Sequence, residues 1–495
     1  MGQATFLLPD DISAEAAREL ERSFMAGGPD GMPWLTRAEI ENGLLRLRRD
    51  VEESGFLVAP WDIPEAGRLM GATTTIMERE RPYHFQLEMA RGKVNQLRCQ
   101  AEDWRAGGLE LTSGLEGSIR DASLSFGRAI LDPANDQTNS LAEESLLQSY
   151  RAARELAQAY VSQVFRVRHE RDPQLDVTFG CRLGSVPPSH WATAYGEAFN
   201  SITVPFNWSK TEPKEGVYSW DVQDALINWA DENSFPVTAG PLIDFSASQL
   251  PEWLWMWERD ISSLARIATN YVSAAIKRYR DRIRRWHLAS ASNSASILSL
   301  TEEELLWLTV KIAQTARQLD PGLELITGIA QPWGDYMAIQ DRSHSPFVFA
   351  DTLIRTDLNL AALDIELVMG VTPRGSYCRD LLDTSRMLDL YALLGVPLRI
   401  TIGYPSATAR DNNADPELAV SGGHWQGEID IDRQAEWGVA FTALAICKPY
   451  VQGVQWVHLA DADSHQFPNC GLIDTSGKPK PALDSLRQVR KEHLR

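Results

Sequence analysis

Residues 284–327 contain one complete unit of a parallel α/β fold. They read Arg284-Arg-Trp-His-Leu288, then the periodic stretch Glu302–Leu319, then Glu324-Leu-Ile-Thr327. Short apolar runs predict strands, and apolar residues that recur every three or four positions predict a helix. Two strands joined through a helix of this length pair in parallel, because the helix supplies the crossover connection.

The same alternation continues in both directions from this unit. The predicted strands are Val177–Cys181, Ser201–Val204, Phe235–Ala239, Arg284–Leu288, Glu324–Thr327, Leu363–Met369, Pro397–Ile402 and Gly453–Leu459. The predicted helices are Trp191–Phe199, Val222–Asn233, Leu264–Arg282, Glu302–Leu319, Phe347–Ile354, Arg379–Leu394, Arg433–Cys447 and Ala482–His493. Eight alternating units over about 320 residues favour a closed (β/α)8 TIM barrel, an α/β fold, at residues 171–495. A doubly wound open sheet is the alternative, but no glycine-rich phosphate turn follows the first strand.

Residues 1–170 show a different pattern. Between Leu44 and Ile76, short apolar runs are separated by glycine and proline, which favours a small β-sandwich or an open sheet. From Leu87 onward apolar residues recur at helical spacing, and a loop is predicted at 132–139. We therefore expect a smaller β-rich and helical N-terminal domain ahead of the barrel.

The composition excludes several classes of protein. Hydrophobic residues make up 44% of the 495, enough for a sizeable core, and the net charge is −19. This charge argues against nucleic-acid and anionic-membrane partners, since both need a positive surface. The five cysteines form no CxxC pair, and His424 and His458 are isolated in the sequence, so no disulfide framework, metal or other cofactor is predicted. The lack of a signal-peptide pattern predicts a cytoplasmic protein, with export by a non-standard route left open.

A set of motifs in the predicted barrel points to one family. The segments, in chain order, are Phe199-Asn-Ser-Ile-Thr203, Thr211-Glu-Pro213, Gly216-Val-Tyr218, Gln249-Leu-Pro-Glu-Trp253, Arg433-Gln-Ala-Glu436, Gly471-Leu-Ile-Asp474 and Lys478-Pro-Lys-Pro-Ala482. In order and spacing they resemble glycoside hydrolase family 10, the endo-1,4-β-xylanases. The resemblance implies a TIM barrel that binds a β-linked polysaccharide such as xylan. In that scheme residues 1–170 occupy the place of an accessory carbohydrate-binding module.

The two positions that carry catalysis in that family hold no acid in this sequence. A retaining glycosidase needs two carboxyl groups about 5 Å apart, one as acid/base and one as nucleophile. The resemblance aligns the acid/base with Ala291, at the end of the fourth predicted strand, and the nucleophile with Ile402, at the end of the seventh. A methyl group cannot donate a proton, and an isoleucine side chain cannot attack an anomeric carbon. The sequence therefore predicts that the family's double displacement is lost.

Other side chains near the predicted strand ends are weaker candidates for the site. Relocated catalytic acids would come from a scattered set that defines no pair: Glu366, Asp461, Asp244 and Asp335. Loops leaving strand ends supply the candidates for sugar binding, namely Asn207, Trp208, Lys210, Gln249, Trp333 and Trp425. For the tryptophans, packing at the rim is an equal alternative.

The sequence therefore predicts a carbohydrate-active barrel that recognises a β-linked poly- or oligosaccharide, xylan-like in type, without the family's catalytic pair. One alternative is an active glycoside hydrolase that uses relocated carboxylates. A second alternative is a structural or protein-interaction barrel with no affinity for sugars.

Overall fold

Residues 2–171 form two small sheets and several helices. The structure, a computed structural model, describes residues 2–28, 30–131 and 137–495. The strands are β1 (Gly2–Leu7), β2 (Phe24–Gly27), β3 (Met32–Pro33), β4 (Thr36–Glu41), β5 (Leu44–Arg49), β6 (Phe56–Ile63), β7 (Gly67–Ala72) and β8 (Tyr83–His84). The helices are α1 (Ala14–Leu20), α2 (Phe85–Ala106), α3 (Ser113–Leu131) and α4 (Thr138–Arg171).

Of the strands predicted between residues 44 and 76, β5, β6 and β7 are present, whereas the run at 73–76 contributes only an isolated bridge at Ile76. Strands β1 to β4 were not predicted, and β1 and β4 belong to the first sheet. They complete a sheet in the order β4-β5-β1-β8. Of the predicted loop at 132–139, residues 132–136 lie outside the described residues, and α4 already begins at Thr138.

The rest of the chain forms the predicted closed barrel of eight parallel strands. In order around the barrel they are β9 (Thr178–Arg182), β10 (Ser201–Val204), β11 (Val237–Ala239), β13 (Arg285–Ser290), β14 (Glu324–Ile329), β15 (Ala362–Val368), β17 (Leu398–Gly403) and β20 (Val451–Trp456). Parallel pairing of β20 with β9 closes the ring. Short strands outside the ring are β12 (Ile243–Asp244), β16 (Gly370–Thr372), β18 (Ala419–Gly422) and β19 (His424–Trp425).

Helices surround the barrel as the periodicity predicts. They are α5 (Ser189–Ala198), α6 (Trp208–Thr211), α7 (Asp221–Glu232), α8 (Ile261–Tyr279), α9 (Glu302–Leu319), α10 (Pro346–Ile354), α11 (Leu381–Ala392), α12 (Ile431–Cys447) and α13 (Pro481–His493). Local sequence fixes their starts: Thr301 and Glu304 form a reciprocal capping box at α9, and Asp380 caps α11. Within the described ranges, no helix has the length and apolarity needed to cross a membrane.

A short strand from the barrel part of the chain joins the N-terminal sheet. Strand β19 pairs with β7, so the second sheet runs β19-β7-β6-β2-β3. Buried apolar side chains of both parts also belong to one continuous cluster. The division of the chain into two domains at residue 170 stays a prediction, and the structure adds that the two parts share a sheet and a core.

Gly67 makes this shared sheet possible, and replacing it tests the pairing. Gly67 has φ of 101°, and a Cβ there would lie 2.2 Å from the carbonyl oxygen of His424. We expect Gly67→Ala to lower the free energy of unfolding by about 1–3 kcal/mol more than Gly43→Ala, measured by urea unfolding. Gly43 also has a positive φ, 74°, but nothing lies near the position of its Cβ. The control variant Gly43→Ala therefore measures the cost of backbone strain without a steric clash. Equal losses in the two variants would contradict the close approach.

Candidate functional site

The mouth of the barrel lies at the carboxyl ends of its strands, and side-chain alternation shows which residues face it. On β17, Thr401 Oγ1 donates to Asp364 at 2.6 Å and accepts from Gln455 Nε2 at 2.5 Å, inside the barrel. Thr401 therefore faces the interior, and its neighbour Ile402 faces the surrounding helices. This corrects the prediction for Ile402, because the residue that faces the mouth at this level is Gly403. The chemical conclusion stands, since neither Thr401 nor Gly403 carries a carboxylate.

The end of β13, where the family's acid/base was expected, is also free of acids. Ala291 follows the strand directly and is 2% exposed. Its φ of 61° lies in the left-handed region, so the chain turns sharply as it leaves the strand. The interior side chains before it are those of His287 and Ser290. Neither of the two strands thus brings a carboxyl group to the mouth.

A buried arginine lies at the mouth instead, between two carboxylates from other strands. Arg374 follows β16, and its Nη2 donates to Glu366 Oε2 at 2.9 Å, to Asp244 Oδ2 at 3.1 Å and to Ser290 Oγ at 3.2 Å. Both carboxylate oxygens bond to the same nitrogen, so they lie no more than about 6 Å apart. Arg374 and Asp244 are 7% exposed and Glu366 is 6% exposed. The structure thus unites two of the predicted acids, through a cation that the sequence did not indicate.

Burial determines the charge state of this cluster. It raises the pKa of Glu366 to about 7, and the nearby positive charge of Arg374 only partly opposes this rise. Among the described residues, Glu366 Oε1, Arg374 Nε and Nη1, and Arg182 Nε are buried without a hydrogen-bond partner.

Loops from opposite sides of the barrel meet above this cluster. Gln466, in the loop after β20, donates to Ser246 Oγ at 3.1 Å. Ser248 donates to Asp415, which lies in the loop after β17. Ser246 and Ser248 follow the strands on the other side of the ring. The mouth is therefore bridged by loops above and filled by the Arg374 side chain below.

Three of the predicted sugar-binding residues form a polar rim beside the mouth. Asn207 Nδ2 donates to Gln249 Oε1 at 2.8 Å, which joins the loops after β10 and β11. Asn207 also caps α6 by accepting from the backbone of Lys210, whose side chain is exposed. Lys210 presents an ammonium group to solvent, whereas the half-buried amides of Asn207 and Gln249 also bond to Ser209 and Ser248. Amide and ammonium groups of this kind bind sugar hydroxyls.

The three predicted tryptophans are less available. Trp208 is 3% exposed and stacks on Tyr271 at 4.8 Å, and Trp425 is 4% exposed within β19. Their burial counts against both as platforms for a sugar ring. Trp333 is half-buried, and the guanidinium of Arg379 lies 4.5 Å from its ring centre.

The two remaining acid candidates are held in ion pairs away from the Arg374 cluster. Asp335 pairs with Arg379 at 2.8 Å. Asp461 Oδ2 accepts from Lys480 at 2.5 Å, and Oδ1 accepts from the backbone of Gly471 at 2.7 Å. Although burial opposes it, the contacts with His458 and Lys480 lower the pKa of Asp461 below its ordinary value. Both acids are therefore committed to structural contacts.

The prediction that His458 is isolated is wrong. Its ring stacks on His465 with centres 4.0 Å apart, and its Nε2 lies 3.0 Å from Asp461. These three residues could in principle hold a metal ion. However, Asp461 already binds Lys480, and His465 Nε2 lies 2.9 Å from Asp411, so a cation would have to displace both contacts. The arrangement fits a hydrogen-bonded cluster better than a metal centre. His424 is also partnered, since Arg68 donates its backbone N–H to it.

Comparisons with known proteins agree with this architecture. Residues 185–293 match the profile of glycosyl hydrolase family 10. Endo-1,4-beta-xylanase B of Humicola insolens is 30% identical over 131 residues, or 26% of this chain, and the match spans only 35% of that relative. The profile match includes Ala291 and ends before β17.

Solved structures of family 10 proteins are also similar to this chain. Xylanase 10B from Thermotoga petrophila, in complex with xylobiose, superposes with a TM-score of 0.47 at 15% identity, over 66% of this chain and 97% of that one. The family 10 protein from Paenibacillus barcinonensis gives 0.47 and 16%, over 65% and 96%. The profile match over residues 185–293, together with the barrel topology, shows a TIM barrel that resembles those of glycosyl hydrolase family 10.

The raised pKa of Glu366 predicts a pH dependence of stability. Between pH 4.5 and about 7 the unfolded chain has released this proton while the folded protein retains it, so folding becomes less favourable as pH rises. We expect Glu366→Gln to remove about 2 kcal/mol of this loss, measured by urea unfolding at pH 5 and pH 7.5. Glu428→Gln, which replaces an exposed acid, serves as the control and should follow the wild type. Parallel profiles for all three proteins would refute the assignment.

Proposed function

We propose that this protein binds a β-linked, xylan-like oligo- or polysaccharide and does not hydrolyse it by the two-carboxylate route. One observation carries the proposal: the interior faces of β13 and β17 hold no acid, while Arg374 lies between the carboxylates of Asp244 and Glu366. In a retaining mechanism one carboxylate attacks the anomeric carbon and the other protonates the leaving oxygen. A guanidinium bonded to both carboxylates occupies the space that the sugar would need.

The rim beside the mouth supports the binding part of the proposal. Asn207, Lys210 and Gln249 come from neighbouring loops and offer donors and acceptors to a chain of sugar hydroxyls. Trp255, on the next loop turn, is 38% exposed, and an exposed indole face suits a sugar ring. An oligosaccharide lying along this rim would be recognised without entering the closed mouth.

We expect calorimetry to detect xylohexaose binding, and reducing-end assays with xylan to detect no turnover. Gln249→Ala should weaken binding roughly 5- to 10-fold, because one or two hydrogen bonds to the sugar are lost. Lys277→Ala is the control: this exposed lysine lies near the end of α8, at the opposite end of the barrel, and its replacement should change nothing. If the affinity for xylohexaose is unchanged in Gln249→Ala, the rim is not the binding site. Absence of both binding and turnover would favour a structural or interaction barrel.

A second candidate function is hydrolysis by Asp244 and Glu366. Their oxygens lie within reach of the roughly 5–5.5 Å separation of retaining enzymes, and a pKa of about 7 suits a general acid. If turnover is found, Glu366→Gln and Asp244→Asn should each abolish it, whereas Glu428→Gln should leave it intact. Turnover that survives both replacements would exclude this pair.

A further inference from the structure

The segment Arg374–Asp380, here called the strap, connects the barrel mouth to the N-terminal region. Its first residue is the arginine of the buried cluster. The guanidinium uses Nη2 for all its hydrogen bonds, and its Nε and Nη1 are buried without partners in the part of the chain that the structure describes. Buried donors without partners are costly. Contacts elsewhere along the strap must therefore help to hold Arg374 in the mouth.

Part of the strap is held by the barrel itself, since Arg379 pairs with Asp335 and the backbone N–H groups of Ser376 and Cys378 donate to Val368 and Gly422. Other contacts of the strap are with residues 2–171. Tyr377 Oη donates to Glu19 at 2.8 Å, and the guanidinium of Arg22 lies 5.8 Å from the same ring. The backbone N–H of Met70 donates to the carbonyl of Cys378 at 2.8 Å. These contacts hold the middle of the strap against strand β7 and helix α1.

The end of the strap is held by a buried ion pair. Lys93, on α2, is 4% exposed; its ammonium contacts Asp380 and lies 4.4 Å from the ring centre of Tyr150. Gln96, one turn further along α2, contacts Asp383 at the start of α11. Helix α2 thus contacts the junction between the strap and helix α11.

We propose that the N-terminal region is an internal clamp that keeps the barrel mouth closed by holding the strap, and with it Arg374, in place. Loosening the strap withdraws the guanidinium from Asp244 and Glu366 and opens the mouth to a saccharide. The saccharide as ligand rests on the proposed function; the clamp itself rests on the strap contacts. This assigns residues 1–170 a role different from that of an independent carbohydrate-binding module.

Hydrogen–deuterium exchange on the full chain tests the clamp without any sugar. Lys93→Met removes the buried ion pair, and Tyr377→Phe removes only the bond to Glu19. We expect amide exchange in peptides covering 370–380 to rise at least tenfold in Lys93→Met and severalfold in Tyr377→Phe. Arg120→Met and Tyr83→Phe are the matched controls. Arg120 is exposed on α3, and Tyr83 bonds only to Met77 within the N-terminal region, so both should leave the strap unchanged.

The outcomes separate the clamp from the saccharide. If exchange at 370–380 in both strap variants equals that of the wild type, the clamp is overturned. If Lys93→Met fails to fold, the Tyr377→Phe result alone decides. Calorimetry with xylohexaose then tests opening: affinity should rise at least threefold in the strap variants and stay constant in the controls. Suppose that amide exchange at 370–380 is faster in the strap variants but that neither the wild type nor any variant binds xylohexaose. This result would support the clamp and overturn the saccharide as its ligand.

Discussion

The guanidinium of Arg374 bonds to two acidic side chains buried at the mouth of the barrel, and its one positive charge compensates one of them. Burying Asp244 and Glu366 so close together without a cation would be prohibitively costly, because an uncompensated buried charge destabilises a protein by several kcal/mol. The arginine therefore belongs with these acids as one electrostatic unit. In the function proposed above, the same guanidinium that compensates this buried charge also closes the mouth.

This unit also connects the two parts of the chain. The loops after β15 and β17 extend beyond the barrel, one as the strap and the other as strand β19, and both end on the N-terminal region. Under the clamp proposed above, a change in how that region packs reaches Arg374 through the strap.

The order of strands and helices could be predicted because each depends on local periodicity, as the barrel strands and α9 show. The site could not, since its contacts join distant residues: Arg374 and Asp244 are far apart in sequence. Ile402 shows a second limit, because a shift of one residue along a strand exchanges its inner and outer faces. Trp208 shows a third, since only the packing of Tyr271 against it reveals that its indole is buried. The sequence contains one signal for this contact: a basic residue, Arg374, follows closely after the interior acid Glu366.

The central claim is that no carboxylate at this mouth can act as a glycosidase nucleophile. The most direct measurement is intact-protein mass spectrometry after incubation with a 2-deoxy-2-fluoro-xylosyl fluoride, a reagent that traps the covalent intermediate of retaining enzymes. The account predicts an unchanged protein mass at neutral pH. A stoichiometric mass increase of one fluoroxylosyl group, located by peptide mapping on Asp244 or Glu366, would contradict it.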